Sequence, residues 1–121
     1  MAYRELSPAK QEQLLRLRQL ENTVQTLRIQ LTEISRTLAE LEMTKKELQN
    51  LDAESEVWKT VGSVMFPKKA KDVLKEVEDR AELLNLKKDS FTKQESQNVK
   101  RLEELQTKLS QDLGIGTQPS N

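Results

Sequence analysis

The sequence lacks cysteine and histidine, and it has only three glycines and three prolines among its 121 residues. Without cysteine there is no disulfide framework and no thiol nucleophile. Without histidine the commonest general base is missing, and so is the usual nitrogen ligand of zinc. These absences argue against an enzyme, and we predict no cofactor and no metal site.

Long apolar runs and an excess of one charge are missing too. The chain has 20 basic and 20 acidic residues and therefore a formal net charge of zero, without the clustered basic surface that nucleic-acid binding requires. No apolar run approaches the roughly 20 residues that cross a bilayer. The opening stretch MAYRELSPAK contains no apolar signal core. We therefore expect a cytoplasmic protein that binds neither nucleic acid nor membrane.

The first half of the chain is rich in Leu, Glu, Lys and Gln, a composition typical of long helices. Apolar residues recur there at alternating spacings of three and four, at Leu17, Leu20, Val24, Leu27, Leu31, Ile34, Leu38 and Leu41. Leu48 continues the register after a polar position at Lys45. This is the heptad seam of a coiled coil. Ser7 suits the N-cap and Pro8 the first helical position. The pattern predicts a first helix over residues 8–51.

The second half repeats the pattern and predicts a helix over 69–112, followed by a flexible tail over 114–121. Its seam residues are Ala70, Leu74, Val77, Ala81, Leu84, Phe91, Leu102, Leu105 and Leu109. If the helices fold back on one another, Leu20 faces Leu102, Leu27 faces Glu95, and Leu38 faces Leu84. The heptads alone permit this register or one shifted by a heptad, and they also permit a parallel dimer.

Between the two helices lies VWKTVGSVMF, which is rich in β-branched and aromatic residues. Gly62 with Ser63 suits a hairpin turn, and Pro67 is expected to end the second strand, so we predict a β-hairpin over 57–66. Its open edges and apolar faces predict pairing with other chains. The predicted interface residues are Val57, Trp58, Val61, Gly62, Val64, Met65 and Phe66. A kinked helical linker packed on the coiled coil is the alternative.

The predicted fold is therefore mainly α, with two long helices forming an antiparallel coiled coil joined by one short β-hairpin. This plan resembles a β-class prefoldin subunit. The resemblance is strongest over LEMTKKELQNLDAESEVWKTVGSVMFPKKAKDVLKEV, from Leu41 to Val77. TKKEL followed by VWK is most similar to the eukaryotic prefoldin subunit 1 branch. The stretch FPKK departs from that branch, where an aliphatic residue and glutamine often follow the second strand.

The resemblance implies a place in a heterohexamer, with two α-class and three further β-class subunits as partners. It also implies that the hairpins join into a double β-barrel platform. The complex would hold unfolded clients, notably actin and tubulin, without ATP, and pass them to the cytosolic group II chaperonin. The sequence has no glycine-rich phosphate-binding loop.

In the family, the tips of the coiled coils hold the client through exposed apolar residues. On this chain the resemblance places those contacts near the two termini, at Tyr3, Leu6, Leu14, Leu15, Leu109, Leu113 and Ile115. The competing interpretation is a homodimeric structural or tethering coiled-coil adaptor. In such an adaptor the heptads alone would hold the dimer, and the central hairpin would be dispensable.

Overall fold

The computed structural model describes residues 6–112, and they form two long helices with one hairpin between them. Helix α1 spans Pro8–Gln49, strand β1 spans Glu56–Val61, strand β2 spans Val64–Lys69, and helix α2 spans Ala70–Asp112. The two strands form one antiparallel sheet. The predicted fold class is therefore confirmed. The tail predicted over 114–121 lies outside the described residues.

The chain divides into two compact units. The hairpin unit comprises Leu31–Ser90, which includes both strands and the adjoining part of each helix. The terminal unit comprises the described residues of the ranges Met1–Gln30 and Phe91–Asn121. Neither helix in the described part of the chain is long and apolar enough to cross a membrane.

Heptad spacing correctly identifies the side chains that the helices bury. Every buried apolar residue between positions 6 and 112 lies on a predicted seam. In the terminal unit these residues are Val24, Leu27 and Leu109, and in the hairpin unit they are Ile34, Leu41, Leu48, Ala70 and Val77. Leu41, Leu48, Ala70 and Val77 form one apolar cluster. The seam is apolar because burial there removes hydrocarbon surface from water.

Ion pairs within each unit match the predicted antiparallel register. In the terminal unit, Arg28 Nε lies 2.7 Å from Glu95 Oε2, next to the predicted contact of Glu95 with Leu27. Lys10 Nζ donates to the Asp112 carbonyl oxygen over 3.0 Å in the same unit. In the hairpin unit, Lys45 Nζ lies 3.7 Å from Glu78 Oε2. A shift by one heptad would move these partners about 10 Å apart along the helix axis.

Helix α1 begins as predicted and ends two residues earlier than expected. The Ser7 hydroxyl oxygen accepts a hydrogen bond from the Lys10 N–H over 3.2 Å, as an N-cap residue does. At the other end, the Asn50 and Leu51 N–H groups donate to carbonyls three residues back, over 3.2 and 3.1 Å. These tighter bonds close the helix after Gln49.

The loop after α1 caps the start of α2 with backbone carbonyls. The Ala70 N–H donates to the Ser55 carbonyl over 2.8 Å, and the Lys71 N–H donates to the Ala53 carbonyl over 3.0 Å. The first N–H groups of a helix have no partner within the helix. The loop therefore satisfies two of them and holds the base of the hairpin against α2.

The pairing register of the hairpin determines which backbone groups of each strand face the other strand. The Ala70 N–H donates to the Ser55 C=O, so Ser55 and Ala70 form a hydrogen-bonded pair. Because hydrogen-bonded and non-hydrogen-bonded pairs alternate in an antiparallel ladder, this bond shows which pairs of the hairpin are hydrogen-bonded. The hydrogen-bonded pairs are Val57 with Lys68, Lys59 with Phe66, and Val61 with Val64. In the remaining pairs the backbone N–H and C=O groups point away from the partner strand, and we call these residues outward-facing. These pairs are Glu56 with Lys69, Trp58 with Pro67, and Thr60 with Met65.

The prediction that Pro67 ends the second strand is wrong, because β2 continues through it to Lys69. Pro67 opposes Trp58 in an outward-facing pair. An N–H at this position would point away from β1. Because proline lacks only this outward group, the hairpin loses no internal hydrogen bond. The predicted turn is confirmed, since Gly62 has a φ of 61°. Ser63 has no positive φ, so the pair suits a type II′ turn.

Candidate subunit interface

The two faces of the hairpin differ in what they contact. Opposed residues share a face, and side chains alternate between faces along each strand. One face carries Val57, Lys59 and Lys68, which are partly buried. Val57 packs against the apolar cluster of the hairpin unit. The opposite face carries Trp58, Thr60, Met65 and Pro67, all of them exposed.

Exposed apolar side chains occupy both faces of the hairpin. They are Trp58 and Met65 on one face and Val61, Val64 and Phe66 on the other, and each is between 47% and 59% exposed. Single surface apolar residues are ordinary, but five within one 14-residue hairpin, on both of its faces, are the kind of concentration that marks an interaction site. An isolated two-stranded hairpin is also marginally stable in water. Burial against other chains would remove the apolar side chains from water and stabilise the hairpin.

A carboxylate on α2 ties both strands to the helix. Glu76 accepts a hydrogen bond from Lys59 Nζ on β1 over 2.7 Å and one from Lys68 Nζ on β2 over 2.6 Å. The Lys59 bond, followed by the Lys68 bond, lowers the pKa of Glu76. The two strands therefore share one anchor on α2, which orients the hairpin.

A second carboxylate holds the base of the hairpin. Glu54 accepts from Lys71 Nζ over 2.7 Å, and Lys69 Nζ lies 2.9 Å from its other oxygen. Hydrogen bonds from Lys71 and then Lys69 lower the pKa of Glu54 from 4.5 to about 2. All three side chains are about half exposed, so solvent screens these attractions.

The structure brings together all seven residues predicted for the interface. Gly62 forms the turn, and Trp58, Val61, Val64, Met65 and Phe66 lie exposed around it. Val57 is half-buried against the cluster below the hairpin. Sequence analysis missed Lys59, Lys68 and Glu76. Strand alternation from Val57 could have placed Lys59 on the helix-facing side, but nothing local to the sequence indicates Glu76 as its partner.

The predicted client contacts near the termini have different surroundings. Leu15 is 58% exposed, and Leu6 and Leu14 are half-buried. Leu109 is only 3% exposed, which contradicts its prediction as an exposed contact. It lies at a seam position, so the coiled coil buries it. The other three predicted contacts, Tyr3, Leu113 and Ile115, lie outside the described residues.

A hairpin with open edges and apolar side chains on both faces characterises a subunit that assembles with other chains. The sequence matches the family model described as prefoldin subunit over residues 11–114. It is 35% identical over 108 residues to the prefoldin subunit beta of Saccharolobus islandicus, covering 89% of this chain and 86% of the relative. It is 32% identical over 110 residues to that of Methanococcoides burtonii, covering 91% and 94%.

The fold is similar to the crystal structure of the prefoldin beta subunit from Thermococcus strain KS-1. The TM-score is 0.79 at 22% sequence identity, and the match covers 95% of this chain and 98% of that one. The chain belongs to the prefoldin family, as a subunit of the β class. Its role is therefore that of a chaperone subunit that assembles with other prefoldin subunits.

Proposed function

We propose that this chain is one of four β-class subunits in a heterohexamer with two α-class subunits. Its hairpin joins those of the other subunits in a β-barrel platform. The assembly holds unfolded clients, actin and tubulin among them, without ATP. It then passes them to the group II chaperonin in the cytoplasm.

The observation that carries this proposal is the hairpin itself. Five large apolar side chains lie exposed on its two faces, and both strands have an unpaired edge within the described chain. Glu76 contacts both strands, so the hairpin is held ready for pairing before any partner arrives. A tethering coiled coil would have no use for such a surface, because its seam already buries the apolar residues of the helices.

A charge substitution at the hairpin tip tests the platform role. Val61 and Val64 oppose each other directly, so two lysines there would repel one another and destabilise the hairpin itself. The variant Val61→Lys with Val64→Glu avoids this repulsion while removing the apolar surface. Native mass spectrometry of the tagged chain, purified from its own cells, should show a six-subunit complex for the parent and none for the variant.

The matched control changes two leucines elsewhere in the hairpin unit that are more exposed than the two valines. Leu83 and Leu86 on α2 are 68% and 61% exposed, and Leu83→Lys with Leu86→Glu alters the same kind of side chain. This control should assemble normally. Normal assembly of the hairpin variant would refute the platform role, and a plain homodimer of the parent chain would favour the tethering adaptor.

The client-holding role rests on apolar side chains of the terminal unit. Leu15 is the most exposed of the predicted contacts that the structure describes. Several such arms would act together, so that weak contacts add by avidity. Leu15→Ser in the assembled complex should reduce suppression of aggregation of denatured actin, with Gln19→Ser as an exposed control on the same helix. Unchanged suppression by the Leu15 variant would refute its role.

A further inference from the structure

The two edges of the hairpin are not equivalent as templates for another strand. On β1 the outward-facing residues are Glu56, Trp58 and Thr60, and each has both an N–H and a C=O. On β2 they are Met65, Pro67 and Lys69. Pro67, in the middle of that row, has no N–H to donate.

This difference affects how far a neighbouring strand can extend. A strand added to β1 meets an unbroken row of alternating donors and acceptors. A strand added to β2 meets the Met65 N–H and then, at Pro67, places a carbonyl where no donor exists. Such a carbonyl loses its bond to water without gaining another, which penalises pairing along that part of the edge.

The side chains reinforce the same asymmetry. The last three residues of β2 are Pro67, Lys68 and Lys69, and proline and lysine are the residues with which natural proteins discourage edge pairing. In contrast, β1 reads EVWKTV, and β-branched and aromatic residues favour a paired strand. Lys59 on β1 and Lys68 on β2 are both bonded to Glu76 on the helix-facing side, so the difference between the two edges rests on Pro67 and Lys69.

We propose that the β1 edge accepts a full-length strand from a neighbouring prefoldin subunit, whereas Pro67 limits strand pairing at the β2 edge to the part near the turn. The inference rests on the proposed function, since it concerns how the hairpin joins the platform. Pro67 is then a specificity-determining residue, because it makes the two edges select different neighbours.

Amide hydrogen exchange in the assembled complex tests this edge assignment directly. Compared with the isolated chain, assembly should slow exchange at the outward amides of Trp58 and Thr60 at least tenfold. The outward amide of Lys69, beyond Pro67, should change less than threefold. Equal protection at Lys69 and Trp58 would overturn the inference. A parent chain that forms no complex with other subunits would instead overturn the proposed function.

Paired substitutions provide a second measurement. Trp58 directly opposes Pro67, so Trp58→Pro removes an outward N–H from β1 without breaking the hairpin ladder. Trp58→Ala removes the same indole and keeps the N–H. Protected amides at Lys59 and Phe66 in the isolated variants would verify that the hairpin is intact.

The proline variant should assemble at least tenfold more weakly than the alanine variant in a urea titration followed by native mass spectrometry. Pro67→Ala should assemble at least as well as the parent. Equal assembly of Trp58→Pro and Trp58→Ala would overturn the inference.

Discussion

Replacing Gly62 with alanine should weaken the hairpin through backbone strain alone. Gly62 has a φ of +61°, and a Cβ placed on it would meet no atom within 4 Å. The whole effect therefore comes from the positive φ that a type II′ turn requires at its first central position, which costs an L-residue about 1–3 kcal/mol. A loss of that size increases the equilibrium constant for hairpin opening by about 5- to 160-fold.

The assay is amide hydrogen exchange at Lys59 and Phe66 in the isolated chain, followed by NMR. These two residues form a hydrogen-bonded pair, so their exchange reports opening of the hairpin. Helix content from circular dichroism should stay unchanged, since Gly62 is remote from the buried seam residues.

The matched control is Gly62→Asn, because asparagine tolerates positive φ better than alanine. It should lose less than half as much protection as Gly62→Ala. The reasoning is refuted if the amides of the Gly62→Ala variant exchange as slowly as those of the parent. It is also refuted if Gly62→Asn loses as much protection as Gly62→Ala. The second outcome would point to a steric effect of the side chain and not to φ.

Three further predictions concern the terminal unit and the base of the hairpin. The side-chain oxygen of Gln13 is buried without a hydrogen-bond partner among the described residues, so Gln13→Leu should stabilise the protein by about 1–3 kcal/mol and raise its thermal midpoint; an unchanged or lower midpoint would contradict this. Leu109→Ala should cost about 2–5 kcal/mol in urea unfolding, whereas exposed Leu15→Ala should stay within about 0.5 kcal/mol; similar losses would contradict the burial of Leu109. The pKa of Glu54 is lowered in the folded state from 4.5 to about 2, so its stabilisation is present above pH 4.5 and is lost as the pH falls towards 2. Carboxyl NMR should detect this low pKa and its rise with salt, and titration near 4.5 would contradict it.

Much of the fold could be predicted because its signals are local and periodic. The spacing of three and four along each half identified the helices and every buried apolar residue among positions 6–112. Ser7 identified the start of α1, and Gly62 identified the turn. The resemblance indicated the family that the comparisons confirm.

The errors have particular physical causes. The place of Leu109 near the chain end suggests client contact, but its position on the heptad seam predicts burial. The seam position decides, and Leu109 is buried. Pro67 was expected to end β2 because proline cannot donate. The effect of a missing donor depends on whether that donor would face the partner strand, and this follows only from the pairing register.

The sequence by itself determined the helices, their seams, the position of the hairpin and its turn, because these depend on residues close together in the chain. The tertiary structure decided among the registers that the heptads permit, as the ion pair between Arg28 and Glu95 illustrates. It also brought Glu76 to lysines on both strands and placed the backbone nitrogen of Pro67 on the unpaired edge of β2. Such features depend on residues distant in sequence, whose approach is set by packing and pairing geometry and by no local pattern.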